Sequence, residues 1–267
     1  MNIDLSPLGK ETSYINEYDS NLIFQIPRAT KRKELGIVDR LPFFGYDIWN
    51  AYELSWLRSD GRPQVAIAEI IYNCDSEFIV ESKSLKLYLN SFNSTIFNSI
   101  EDVKNTIKRD LSDRLKTNVI VKLYSLNTEV KYTKPTGLNI DDFYRQDYQG
   151  DNIMVIEDVV QKEKLFTNLL KSNCPVTGQP DWATLMITYS GQKIDYASLI
   201  KYIISLRSLN EFHEQCVEKI YMTIYENCHP NYLALYARYT RRGGIDINPY
   251  RCSEETTIPD NYRVCRQ

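Results

Sequence analysis

Histidine is almost missing from this chain. Only His213 and His229 occur in 267 residues, so a zinc centre with nitrogen and sulfur ligands would have to draw on cysteines. The six cysteines (Cys74, Cys174, Cys216, Cys228, Cys252, Cys265) include no C-x-x-C pair and are too few and scattered for a disulfide scaffold. They read as reduced thiols, and no metal is expected. No run approaches the roughly 18 apolar residues of a membrane span. The opening segment MNIDLSPLGKETSY has neither a basic nor an apolar signal region. A soluble, cytoplasmic protein without a membrane partner is the expectation. Charge of one sign is not in excess either: 32 Lys and Arg stand against 35 Asp and Glu, a net charge of -3. That balance supplies no broad basic field, so direct nucleic-acid binding is not expected. Nor does a G-x-G-x-x-G follow any strand pattern, which excludes a Rossmann-type dinucleotide site.

What the chain does have is apolar content, 43% of residues, enough for one large domain or two of ordinary size. Overlaying the two halves with a shift that brings Gly61 onto Gly178 aligns GRPQVA (61–66) with GQPDWA (178–183) and SFN (91–93) with SLN (208–210). Each half then reads as an apolar strand (64–72; 182–189), a polar turn, a short second strand and two helices. The longer helix of the first half carries Ile100, Val103, Ile107, Leu111 and Leu115 at three- and four-residue steps, and that of the second carries Phe212, Cys216, Ile220 and Ile224. A β-rich stretch follows each, at 118–132 and 232–250, the second punctuated by Gly243-Gly244 as a hairpin turn. Both halves therefore read ββααββ, an α+β class, with the junction near Lys134-Pro135-Thr136-Gly137. Coincidence between two α+β segments is the competing account.

Four segments carry side chains suited to chemistry. SNCPVTGQPDWATL (172–185) holds a thiol, Cys174, and a carboxyl, Asp181, on a segment stiffened by Pro175, Gly178 and Pro180. A thiolate attacks electrophilic carbon, and a partly desolvated carboxylic acid donates a proton near neutral pH. An ordinary turn with a small buried cysteine is the bland alternative. At the same shift the partners of Cys174 and Asp181 are Leu57 and Gln64, so the first half lacks the reactive pair. NEFHEQC (210–216) puts His213 and Glu214 at a helix start, about 100° apart around the axis. A glutamate there suits the N–H edge of a guanine-like base, or simply favours the helix dipole. ESKSLKLYLNSFN (81–93) places Glu81, Lys83 and Lys86 among serines and leucines, and RYTRRGGIDINP (238–249) places Arg241 and Arg242 beside two glycines. Both fit phosphate groups, though each also reads as a solvated segment.

Taken together, these four segments resemble the NADPH-dependent 7-cyano-7-deazaguanine reductases, specifically the long two-module subfamily, over nearly the whole chain. The resemblance implies two tandem tunnelling-fold modules, 1–133 and 134–267, with antiparallel sheets and helices on one face. The N-terminal module would carry ESKSLK and the C-terminal module the Cys/Asp loop. It further implies Cys174 as the nucleophile that forms a covalent thioimide with the nitrile carbon and Asp181 as the acid for the developing nitrogen anion. Val80, Glu81, Ser82, His213 and Glu214 would bind substrate; Ser82, Lys83, Arg242 and Gly243 would bind NADPH, two of which would be consumed per turnover. A homodimer or larger assembly and a closed site around a hydrolysable imine are implied as well. Two other readings remain: a tunnelling-fold cyclohydrolase, which would need a metal, and a non-catalytic purine- or pterin-binding module, in which Cys174 would be dispensable.

Overall fold

The computed structural model describes residues 14–148 and 152–267, and all but the last residue of the opening segment read above for an export signal lies outside them. In chain order the elements are β1 (Gln25–Pro27), α1 (Ala29–Glu34), β2 (Phe44–Leu57), β3 (Pro63–Asn73), β4 (Phe78–Val80), α2 (Ser82–Asn90), α3 (Ile100–Leu115) and β5 (Val119–Tyr124). There follow β6 (Leu138–Asn139), β7 (Val155–Asn173), β8 (Pro180–Ile194), α4 (Tyr196–Ser205), α5 (His213–Cys228), β9 (Tyr232–Tyr239) and β10 (Ile245–Cys252). The class is mixed α+β with mainly antiparallel pairing, as the sequence suggests. Two compact units emerge. Unit 1 comprises Met1–Lys33, Asp47–Val130 and Arg241–Ile247; unit 2 comprises Glu34–Tyr46, Lys131–Thr240 and Asn248–Gln267.

In unit 1 the strands run in the order β5-β3-β2, with β3 and β5 antiparallel. Alternate residues Ala66, Ala68, Ile70 and Tyr72 of β3 point to one face, as the two-residue period of a strand requires. There they join Leu85, Tyr88 and Leu89 of α2 and Val103, Ile107, Leu111 and Leu115 of α3 in one buried cluster. Each such large side chain stabilises the fold by roughly 1.5–3 kcal/mol on burial. Ser99 caps α3, its hydroxyl accepting from the Asp102 N–H at 3.1 Å, and Lys116 closes the helix in the left-handed conformation. The tight turn at Gly243-Gly244 has positive φ at both glycines (59° and 78°), the type that only glycine adopts freely. Arg242 and Ile245 exchange backbone hydrogen bonds across it.

In unit 2 the order is β10-β9-β8-β7-β6, antiparallel except for the β6–β7 pair. Cys216, Ile220 and Ile224 of α5 are fully buried, together with Leu199, Ile200 and Ile203 of α4 and Leu185, Ile187, Leu233 and Leu235 of the sheet. His229 ends α5 as a left-handed C-cap. The guanidinium of Arg251, wholly inaccessible, ties β10 to α5. Its Nε and Nη2 donate to Glu218 Oε1 at 3.1 and 2.8 Å, and Nη1 donates to the carbonyls of Tyr46 and Tyr250. No helix of the described residues is long and apolar enough to cross a membrane.

Three sequence expectations need correction. The long strand pairs of the two units are β2–β3 and β7–β8, so in each unit the partner precedes the apolar strand. β2 and β7 are long and mix charged with apolar residues, which hides their alternation. The short strand expected after the apolar one exists only in unit 1, as β4, and it pairs with β1 in a separate two-stranded sheet. Finally, Ile100 is half exposed rather than on the buried face of α3, because it is the first helical residue and overhangs the packed turns. The anchoring role of Arg251 yields a direct expectation: Arg251→Ala, by leaving Glu218 buried without its cation, costs about 3–5 kcal/mol in urea denaturation.

Candidate active site

The segment 172–185 is the β7–β8 hairpin with its loop. Ser172 pairs with Asp181 and Asn173 with Pro180, and one step further the Cys174 N–H donates to the Gln179 carbonyl at 2.9 Å. Gly178 N–H returns to the Cys174 carbonyl at 3.0 Å, with φ of 67° at Gly178. Extended strands alternate faces, so this register puts Ser172, Cys174 and Asp181 on the same face. All three are buried, Cys174 at 4% exposure and Asp181 at 5%. The stiffness read from Pro175, Gly178 and Pro180 is therefore that of a closed hairpin loop.

The segment 210–216 is tied to this hairpin through backbone. Asn173 N–H donates to the Leu209 carbonyl at 2.8 Å, and Glu211 N–H donates to the Asn173 carbonyl at 3.1 Å. Two residues later α5 begins, with the Gln215 side chain accepting from the Phe212 N–H. The helix start thus delivers His213 to the face that bears Cys174 and Asp181. His213 Nε2 lies 3.3 Å from Asp181 Oδ2. Beneath it, the Tyr239 ring is stacked face to face at 3.8 Å, with the planes only 5° apart. Glu214 is buried at 2% exposure. Cys216, one turn along, is not a competing nucleophile: complete burial pushes its thiol up to about 11. Among the described residues no group of three or more His, Cys, Asp or Glu side chains is arranged to hold a metal ion.

The other predicted residues lie in unit 1. Val80 is buried on β4, paired with Gln25. Glu81 is inaccessible and is the N-cap of α2. Its Oε1 accepts from the Lys83 N–H at 2.7 Å and its Oε2 from the Ser84 N–H at 2.8 Å, with Ser82 Oγ at 3.4 Å. A carboxylate at a helix N-terminus satisfies orphan amides and gains from the dipole, so Glu81 has a structural reason to be there. Arg242 and Gly243 form the glycine turn, and α2 reaches that turn through Lys86. A methyl group added at Gly243 would lie 3.2 Å from Lys86 Nζ, and one at Gly244 only 2.4 Å from the Glu53 carboxyl carbon. Glu53, Lys86, Asn90, Gly243 and Gly244 line one groove with Ala51, Leu89 and Ile245. Lysine and arginine beside a bare glycine backbone are a fitting set for the phosphates of a dinucleotide. Sequence reasoning named Lys86 with Lys83 as suited to phosphates, but gave no part to Glu53, which no local motif marks.

Unit 1 repeats the backbone hydrogen bonds of the catalytic hairpin. Leu57 exchanges bonds with Thr95 and Phe97 as Asn173 does with Leu209 and Glu211, and the Arg58 N–H donates to Arg62 as Cys174 does to Gln179. The loop of unit 1 is one residue shorter, so the counterpart of Cys174 is Arg58, not Leu57 as the uniform shift gave. Gln64 remains opposite Asp181, while Ser99 and Ile100 fall at the positions of His213 and Glu214. Unit 1 has the same frame with Arg58, Gln64, Ser99 and Ile100 at the positions of Cys174, Asp181, His213 and Glu214.

Family comparison agrees with these features. Residues 14–123 match the family described as "Nitrile reductase, 7-cyano-7-deazaguanine-reductase N-term", and residues 180–257 match "QueF-like protein". Curated proteins named NADPH-dependent 7-cyano-7-deazaguanine reductase are similar over their full lengths and the whole of this chain: 50% identity over 273 residues in Rickettsia bellii and 49% over 274 in Paraburkholderia phymatum. The Burkholderia thailandensis protein of that name is 50% identical over 274 residues, again with complete coverage of both chains. A crystal structure of the archaeosine synthase QueF-Like in the apo form covers 38% of this chain at 16% identity and a TM-score of 0.33. With half of all residues shared end to end, this chain belongs to the family of NADPH-dependent 7-cyano-7-deazaguanine reductases.

Proposed function

We propose that this protein reduces the nitrile of 7-cyano-7-deazaguanine to the aminomethyl group with NADPH, in queuosine biosynthesis, through a covalent thioimide on Cys174. The observation that carries the mechanism is the hairpin register that sets Cys174 and Asp181 on one buried face, with His213 3.3 Å from Asp181. Addition of the Cys174 thiol across the nitrile forms the S–C bond and converts one C≡N π bond into an N–H. Asp181 delivers the proton to nitrogen, and the proton lost from sulfur restores the acid. Glu214 accepts hydrogen bonds from the N–H edge of the base, supported by His213, and Val80, Glu81 and Ser82 are the groups of unit 1 suited to binding the substrate. NADPH, when bound, supplies the hydride equivalents that take the carbon to the amine. Ser82, Lys83, Lys86, Arg242 and Gly243 are the groups of this chain suited to hold its phosphates. Burial excludes water that would hydrolyse an imine.

The recurrence of one hydrogen-bond pattern in both units supports two tandem tunnelling-fold modules, 1–133 and 134–267, of which only the second kept the reactive pair. A cytoplasmic homodimer acting on a free base, without nucleic acid or membrane, completes the proposal.

Mixing the protein with 7-cyano-7-deazaguanine in the absence of NADPH gives a mass increase of one substrate, located by peptide mapping on Cys174. Bound ligand without any adduct would instead favour a non-catalytic binding module. Cys174→Ala abolishes NADPH oxidation, and Asp181→Asn slows it by about 10²–10⁴-fold, the usual weight of a general acid. For Glu81 two variants separate cap from substrate contact. Glu81→Ala loses the cap and about 0.5–2 kcal/mol of stability. Glu81→Asp, itself a good cap, melts like the parent yet raises the substrate KM about tenfold or more, the weight of a charged hydrogen bond. An unchanged KM in Glu81→Asp assigns Glu81 to the helix alone.

A further inference from the structure

A histidine that works beside an acid is usually held by a hydrogen bond on its second ring nitrogen, which fixes both tautomer and ring plane. His213 lacks that device. Its Nε2 faces Asp181, while Nδ1 is buried with no hydrogen-bond partner among the described residues. What the ring does have is the flat face of Tyr239, 3.8 Å away and nearly parallel.

Tyr239 is itself rigidly placed. It is the last residue of β9, fully inaccessible, and paired with Ala183 of β8, two residues beyond Asp181. Its carbonyl accepts from Gln267 Nε2 at 3.0 Å. The hydroxyl end faces the Cys216 thiol and the Ser172 hydroxyl, which belong to α5 and β7. A single aromatic ring therefore meets all three elements that supply the site: β7, β8 through its strand pairing, and α5.

We propose that Tyr239 is a positioning residue of the nitrile reductase, its ring holding the plane of His213 by stacking so that Nε2 stays directed at the Asp181 carboxyl. The stack takes the place of the absent hydrogen bond at Nδ1. A flat, fully buried ring this close and this nearly parallel leaves the imidazole no room to rotate out of its plane. Tyr239 acts through His213.

The inference rests on the nitrile-reductase reading, and two variants test it. Tyr239→Phe keeps the stacking face and loses only the hydroxyl; its kcat and substrate KM stay within about twofold of the parent. Tyr239→Leu removes the face, and kcat for the cyano substrate falls about 10- to 100-fold, the scale of a misaligned proton-transfer group. The KM for NADPH does not move, which separates positioning from general damage to the fold. Should Tyr239→Leu not fold, Tyr239→Met, flexible and comparably bulky but without a flat face, takes its place with the same expected loss. A Leu or Met variant as active as Tyr239→Phe overturns the proposal, and so does a Tyr239→Phe variant as impaired as Leu, which would assign the effect to the hydroxyl. Parent protein that forms no Cys174 adduct defeats the nitrile-reductase reading itself, whereas an active parent with an equally active Leu variant defeats only the role of Tyr239.

Discussion

The peptide of Asn173 is the joint on which the site depends. Its N–H and C=O each bond to the segment that leads into α5, one to Leu209 and one from Glu211. Without that parallel bridge, the hairpin bearing Cys174 and Asp181 and the helix start bearing His213 and Glu214 would be two independent surfaces. With it, a 3.3 Å contact between Asp181 and His213 follows from backbone geometry. Backbone groups this close to a buried site must be paired, so the bridge satisfies a polar requirement and fixes a geometry at once.

The same joint exists in unit 1 between Leu57 and Ile96, with none of the chemistry. Arg58, Gln64, Ser99 and Ile100 occupy the places of Cys174, Asp181, His213 and Glu214. The frame is evidently stable with either set of side chains, because its cohesion comes from main-chain bonds and from the apolar faces of the long helices. On the proposed function, fold and chemistry separate: unit 2 carries Cys174 and Asp181, and unit 1 carries the capped α2 and the glycine turn. Glu81 closes the start of α2 with its carboxylate.

Much of this was legible in the residues. Cys174 and Asp181 stand out because Pro175, Gly178 and Pro180 forbid a helix between them, and Gly243-Gly244 announces a turn that only positive φ can make. The α3 and α5 faces follow from three- and four-residue spacing. Other features leave no local trace. β2 and β7 mix charged residues with apolar ones and escape a period-two reading. The equivalence of Arg58 with Cys174 depends on a one-residue difference in loop length that a uniform shift cannot register. The stack of Tyr239 on His213 joins residues from β9 and α5, and only the sheet register brings them together.

The central claim is that the Cys174 sulfur becomes bonded to substrate carbon while Asp181 serves the nitrogen. A crystal structure of the protein soaked with 7-cyano-7-deazaguanine tests this most directly. Continuous density from Sγ to the former nitrile carbon, with an Asp181 oxygen within hydrogen-bond reach of the new imide nitrogen, is the predicted result. An intact nitrile bound away from Sγ, with Asp181 engaged elsewhere, would contradict the account.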